Sequence, residues 1–210
     1  INEDINEEWI SDKTRYACDG LKNQRLDTPY IREGEKFNKI SWNEAYEVLK
    51  LKLENISPEK IGCITGDLTN METAYAAKEL FNKVFKSNLI ESRSENYYVN
   101  FSEKQNYRFN SNISGIEDTD LILLIGCNPR YEATILNSRI RKSYLKSNLP
   151  IFSTNDISDQ TYPYEILDNS TNLIKDIIEG RNKLSEKIIQ SKKPMVIIGQ
   201  SVLRLKSGKY

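Results

Sequence analysis

The sequence predicts an α/β protein, with an open, doubly wound, mostly parallel sheet over residues 41–210 and an extended N-terminal arm over residues 1–40. Two observations carry that expectation. A short apolar run stops at a glycine three times, at Ile64-Thr65-Gly66, Ile125-Gly126 and Ile198-Gly199, with more than ten residues in each connection. Such connections favour parallel pairing and right-handed crossovers. The second observation is Asp120-Leu-Ile-Leu-Leu-Ile125, apolar without alternation, as a strand covered on both faces must be. All three glycines would then lie on the carboxyl edge of one sheet, where doubly wound folds bind ligands.

The elements follow in order. Residues 1–40 scatter Trp9, Tyr16, Leu21 and Tyr30 among charges without a period, punctuated by Pro29 and Gly34, which reads as an arm laid over a surface. Ser41 and Glu44 form a capping box for a helix over 42–54, whose stripe is Trp42, Ala45, Tyr46, Leu49 and Leu53. A strand is expected at 60–65. Thr69 and Glu72 make a second capping box for a helix over 70–86, and a short strand follows at 88–91. Residues 92–114 are polar and aromatic, including Tyr97, Tyr98, Phe101, Tyr107 and Phe109, and read as a partner-facing excursion. After the strand at 120–125, Asn128 caps and Pro129 opens a helix running to Leu145. Strands at 150–153 and 194–198 bracket two amphipathic helices near 171–179 and 182–191.

Composition removes several kinds of function. With 30 Lys+Arg against 30 Asp+Glu the 210-residue chain carries no formal charge, so nothing global draws it to nucleic acid or an anionic membrane. The longest apolar stretch, 121–125, is far below the roughly 20 residues of a membrane span. The first nine residues are acidic and resemble neither a signal peptide nor a basic presequence, so a targeting segment is expected to be absent or removed. There is no histidine, and Cys18, Cys63 and Cys127 stand 45 and 64 residues apart without a CxxC. No zinc or cluster-binding set can be written from them. Cys63 and Cys127 read as small apolar filler in a reducing compartment.

The residues best placed for chemistry are Gly126-Cys127-Asn128-Pro129-Arg130: a glycine turn after a buried strand, then a helix start and a basic side chain. That is a seat for a phosphate or carboxylate, although it lacks the further glycines of a dinucleotide fingerprint. The plain alternative is a strand end, a cap and a local ion pair. Arg139, Arg141, Lys142 and Lys146 gather in the second half of the following helix, where the helix dipole favours cations. The functional alternative has Arg139 and Arg141 fixing an acidic segment of a partner. Gly66 and Asp67 form a matching turn, but one carboxylate does not hold a divalent metal. Without an imidazole, no Ser-His-Asp or Cys-His arrangement exists.

Two longer runs resemble a known family. Asn6-Glu-Glu-Trp-Ile-Ser-Asp-Lys-Thr-Arg-Tyr16, continuing through Cys18-Asp-Gly-Leu-Lys-Asn-Gln-Arg-Leu26, resembles the junction that leads into the molybdopterin-oxidoreductase-like region of the large, 75 kDa-type iron-sulfur subunit of respiratory complex I. Gly126-Cys-Asn-Pro-Arg-Tyr-Glu-Ala133 with Asn137-Ser-Arg-Ile-Arg-Lys142, and Lys193-Pro-Met-Val-Ile197, are similar to stretches of the same region. The resemblance implies a partial molybdopterin-oxidoreductase-like fold without the cofactor. It implies that Trp9, Arg15, Gly20 and Arg25 lie in the contact with the cluster-bearing part. It also assigns Gly126, Asn128, Pro129, Arg130, Asn137, Arg139 and Arg141 to a structural strand-to-helix corner. The chain starts after the family's cluster-binding cysteines and stops before its usual end.

The functional expectation is a redox-silent, structural part of the peripheral arm of a proton-pumping NADH:ubiquinone oxidoreductase, without catalytic residues of its own. Iron-sulfur clusters and FMN are expected on partner subunits, and the partners are the cluster-bearing part of the large subunit and other peripheral-arm subunits. The expected place is the matrix side of the mitochondrial inner membrane, or the cytoplasmic side of a bacterial plasma membrane. Two alternatives stay open: a fragment of an active molybdopterin oxidoreductase, and a nucleotide- or phosphate-binding module.

Overall fold

The computed structural model describes every residue except 24, 93–97, 101, 168, 169, 171 and 210. Tyr97 and Phe101 of the expected excursion therefore lie outside the described residues. The chain forms two compact units: Ile1–Tyr16 with Tyr97–Tyr210, and Ala17–Asn96. The N-terminal residues, with the short helix α1 (Asp12–Ala17), thus group with the second half of the chain up to Tyr16.

In the unit of residues 17–96, β1 (Tyr30–Glu33) and β2 (Lys36–Lys39) form an antiparallel hairpin where the sequence reading had an aperiodic extended arm. Its two-residue loop begins with Gly34 at φ +62°, a conformation that glycine adopts without steric cost. Helix α2 (Trp42–Leu53) carries the expected capping box: the Ser41 N–H donates to Glu44 Oε2 at 2.7 Å and the Glu44 N–H to Ser41 Oγ at 3.3 Å. The strand β3 (Cys63–Ile64) pairs in parallel with β4 (Ile90–Glu91), across a connection that holds α3 (Met71–Glu79) and a π-helical turn, Leu80–Phe85. The cap of α3 differs from the expected Thr69 and Glu72 box. Asn70, one residue later and a better capping side chain, accepts the Thr73 N–H at 2.8 Å. Among the described residues of this unit only Ile61 and Ser87 are buried, tied by a Ser87 hydroxyl donating to the Ile61 carbonyl at 2.6 Å.

The other unit holds a four-stranded parallel sheet. Its members are β5 (Leu121–Ile125), β6 (Ile151–Ser153), β7 (Glu165–Ile166) and β8 (Pro194–Ile198), in the order β7-β6-β5-β8. Between β5 and β6 run α4 (Pro129–Glu132) and α5 (Thr134–Ser147). Helices α6 (Leu173–Ile178) and α7 (Lys183–Gln190) precede β8, and α8 (Gln200–Leu203) follows it. Period-two alternation sends successive β5 side chains to opposite faces. Ile122 and Leu124 pack with Ile140 of α5, whereas Leu121 and Leu123 pack with Leu173 and Leu184 of α6 and α7. Helices therefore cover both faces, as the uninterrupted apolar run of β5 requires. Each fully buried Leu or Ile contributes about 1.5–3 kcal/mol.

Two expectations are corrected here. The strand-to-glycine steps do not share one sheet: Gly126 and Gly199 follow β5 and β8, while Gly66 follows the separate two-stranded pair. The helix expected from Pro129 to Leu145 is two helices, because Ala133 is extended at φ −148° and ψ 68°. No helix among the described residues is long and apolar enough to cross a membrane.

Candidate functional site

The strand order places the topological switch between β5 and β8, since β6 and β7 lie on one side of β5 and β8 on the other. The crevice outside their carboxyl ends is where such a sheet takes a ligand. Here it is filled by the chain itself. Gly126 turns at φ +55°, and a Cβ on it would collide with Val202 and Ser201 of α8. Gly199 is packed so closely on Gly126 and Cys127 that any side chain would strike them. The Ser201 hydroxyl also donates to the Gly126 carbonyl.

Three backbone donors of the corner are taken as well. The Gly126 N–H donates to Thr154 Oγ1 at 3.2 Å, the Asn128 N–H to Glu132 Oε1 at 2.6 Å, and the Arg130 N–H to Gln160 Oε1 at 3.2 Å. Glu132 thus puts a carboxylate of this chain where a bound anion would sit. The Arg130 guanidinium is directed to Asp159, reaching its carboxylate at 2.8 Å and its carbonyl at 2.6 Å. That bond and the Thr161 N–H hold the Asp159 carboxyl below its ordinary range, the backbone bond being the larger cause.

Asn128 does not cap α4 with its side chain as expected. Its amide donates to the Ile157 carbonyl at 2.9 Å and accepts from Gln160 Nε2 at 3.0 Å. Gln160, fully buried, also donates to the Ile157 carbonyl at 2.6 Å, and its own carbonyl accepts from Asn137 Nδ2 at 3.3 Å. Tyr162 closes the network by donating to Asn137 Oδ1 at 2.6 Å, its hydroxyl pushed up in pKa by burial. Burial, with the Glu132 charge as a smaller cause, raises the Cys127 thiol from 9.0 to about 12, so it stays protonated at neutral pH. The corner's side chains are tied to one another rather than left open to a ligand.

One turn further along α5 the chemistry changes from closure to grip. Arg139 is only 3% exposed, and it holds the N-terminal segment by its main chain. Nε donates to the Ile5 carbonyl at 3.2 Å, and a terminal nitrogen donates to the Glu3 carbonyl. The other terminal nitrogen pairs with Glu117 at 2.6 Å. Lys142 bridges Glu7 at 2.5 Å and Glu117 at 3.0 Å. The segment is bent for this purpose: the N–H groups of Ile5, Asn6 and Glu7 all donate to the Asn2 carbonyl, with Glu7 at φ +50°. The hydrogen bond from Lys142 holds the Glu7 carboxyl below 4.5, and the bonds to Glu7 and Glu117 raise the Lys142 ammonium above 10.5.

The structure therefore joins some expected residues and separates others. Asn128, Pro129, Arg130 and Asn137 share the corner, and Arg139 holds this chain's own N-terminal segment rather than the expected acidic segment of a partner. Arg141 lies on the exposed side of α5. Trp9 is half exposed, Arg15 pairs with Asp12 at 3.3 Å on α1, and Gly20 and Arg25 are exposed. Sequence reasoning missed Glu7, Glu117, Gln160 and Tyr162. The acidic run Glu3, Asp4, Glu7 and Glu8, set against the basic run on α5, was the one signal for the grip. Nothing local marks Gln160, two of whose partners, Arg130 and Asn128, are about 30 residues away. Among the described residues there is no group of three or more His, Cys, Asp or Glu side chains able to hold a metal ion.

Residues 25–210 match the molybdopterin oxidoreductase family, and residues 1–19 match the 4Fe-4S domain family described as NADH-ubiquinone oxidoreductase NDSU1/NuoG-like. The chain is 42% identical to the mitochondrial NADH-ubiquinone oxidoreductase 78 kDa subunit of Candida albicans, over 99% of its own length and 29% of that protein. It is 39% identical to the NADH-ubiquinone oxidoreductase 75 kDa subunit of Reclinomonas americana, over 99% of its length and 32% of that protein. Identity to an NADH-quinone oxidoreductase subunit from Rickettsia prowazekii is 40%, over 96% of this chain and 30% of that protein. The chain thus spans about three tenths of the length of these curated relatives.

A molybdopterin carries a phosphate and needs free donors and open space at such a sheet edge. In this chain three of the corner's donors serve Thr154, Glu132 and Gln160, and α8 crowds the Gly126 turn, so its described residues do not fit the group. The fold is nonetheless the one the family match implies, an α/β architecture with parallel sheets. With that match running from residue 25 to residue 210, and NADH-ubiquinone and NADH-quinone oxidoreductase subunits aligned along nearly the whole chain, this protein belongs to the molybdopterin oxidoreductase family.

Proposed function

We propose that the chain is a structural, redox-silent part of the peripheral arm of a proton-pumping NADH:ubiquinone oxidoreductase, and that its task is to seat the end of a cluster-bearing module. The relatives' names supply the enzyme. The single observation that carries the seating role is the Arg139 grip: the segment it holds, residues 3–7, lies within the stretch that matches the 4Fe-4S domain family. Electron transfer depends steeply on distance, so fixing the exit of a cluster domain against a packed sheet has a purpose without any cofactor here. Trp9, Arg15, Gly20 and Arg25, all exposed, complete the contact with the cluster-bearing part in this reading. The site of action is the matrix face of the mitochondrial inner membrane or its bacterial equivalent. Clusters and FMN are carried outside these 210 residues.

The test is Arg139→Gln in the whole complex, with clusters followed by electron paramagnetic resonance and residues 1–16 by limited proteolysis. The expected result is faster cleavage of that segment and a slower NADH:quinone reductase rate, with the cluster signals retained. Unchanged cleavage and unchanged rate would sink the seating role. Molybdenum and a pterin released in stoichiometric amount by denaturing the complex would sink its redox silence.

A further inference from the structure

Beyond the grip, one of the sheet's two edges is a long apolar strand. That strand is β8, and its two rows of backbone groups fare differently. The Gly199 N–H donates to the Ile125 carbonyl, and alternation along the strand turns Met195 and Ile197 toward β5 likewise. The N–H groups of Val196 and Ile198 point the other way. No hydrogen bond among the described residues uses them. The only residue of β8 that protects an edge is Pro194, at its first position; no charged side chain interrupts Met195-Val-Ile-Ile198.

The side chains repeat the asymmetry. Met195 and Ile197 pack into the core on the α5 face. Val196 and Ile198 are in register with Leu123 and Ile125, on the face that α6 and α7 cover over β5 and β6, yet they are 50% and 56% exposed. A cavity of about 610 Å³ runs beside β8, walled on its other side by residues 105–111 with the half-exposed rings of Tyr107 and Phe109. That space has the size class of a site for a sizeable guest, and its long wall is a strand whose Val196 and Ile198 N–H groups have no hydrogen-bond partner among the described residues.

The winding direction says what kind of guest. In chain order the sheet reads third, second, first, fourth, all parallel. A doubly wound sheet with that order continues outward on the side of the fourth strand. Curated relatives are about three times as long as this chain. We infer that the outer edge of β8 takes a fifth, parallel strand, an extended apolar segment of the large-subunit sequence outside these 210 residues, which pairs with Val196 and Ile198 and fills the cavity against residues 105–111. This pairing is β-strand addition: main-chain bonds supply the attachment and alternate side chains enter the cavity.

Residue-resolved hydrogen exchange on the purified whole complex tests it with an internal control. A paired edge makes the Val196 and Ile198 amides exchange as slowly as those of Met195 and Ile197, within about tenfold. An alternation along β8, with Val196 and Ile198 faster by about a hundredfold or more, overturns the pairing. The occupant is read from a photo-crosslinker, p-benzoylphenylalanine, placed at Ile198. An adduct with a large-subunit segment outside these residues supports the inference. An adduct with a second copy of this stretch, or with a different subunit, overturns it. Neither readout depends on Arg139, so failure here leaves the seating role intact.

Discussion

The two units are written in the same grammar and packed to different depths. Ile64-Thr65-Gly66 and Ile125-Gly126 are the same kind of step in the sequence. In the structure Ile64 is 85% exposed, while Leu124, next to Ile125, is fully buried. Helix α2 presents the apolar stripe that its spacing promised, but Trp42, Tyr46 and Leu49 are more than half exposed, with the Trp42 and Tyr46 rings 5.9 Å apart. The stripe of α5, by contrast, closes on β5 and β6 through Ile140. Period fixes which side of an element is apolar; whether that side is covered depends on partners that no local pattern names.

The comparison can be broken by substitution. The largest effect is expected in the sheet of four: Leu124→Ala should cost about 3 kcal/mol by denaturant titration, because the hole it leaves cannot collapse between two helical layers. The same deletion at Ile64 should stay within about 0.5 kcal/mol, and an equal loss at both positions would erase the distinction. Next comes Arg139→Met, expected to cost about 2 kcal/mol, below the figure for a fully buried pair because Glu7 and Glu117 are partly in water. Gln160→Leu should cost a similar or smaller amount, about 1–2 kcal/mol, by orphaning the Arg130 N–H and depriving the Asn128 side-chain Oδ1 of its donor.

The smallest effects are those of pH and of thiol reactivity. Glu7 is held below its ordinary 4.5, so its contribution is present above that value and is lost as pH falls through the lower, folded one. Lys142 is raised, so its share is complete below 10.5 and disappears at still higher pH. Proteolysis of residues 1–10 should therefore accelerate at both extremes and stay flat between them. Iodoacetamide at neutral pH should label exposed Cys18 and spare Cys127, whose thiol titrates near 12. Equal labelling of the two in the folded protein would show that the corner opens.

Much of this architecture was legible beforehand, for stated reasons. Strand β8 was read with its observed bounds, since Pro194 and Gly199 punctuate it, and the capping box at Ser41 set the start of α2. The hairpin at residues 30–39 was not legible, because Phe37 and Tyr30 do not alternate cleanly with polar neighbours and only Gly34 marks the turn. The corner at Gly126 looked like an anion seat because the residues that close it, Gln160, Ser201 and Val202, lie some 30 to 75 positions away. Occupancy by the chain's own atoms is a property of tertiary structure alone.

The Arg139 guanidinium reaches carbonyl oxygens of Ile5 and Glu3, atoms that every amino acid supplies. What it verifies is the route of the strand of polymer, not its spelling. Mutational drift at positions 1–6 should accordingly be tolerated so long as the bend at Asn2 survives, whereas a single inserted residue, which rotates every following carbonyl, would unseat the whole stretch.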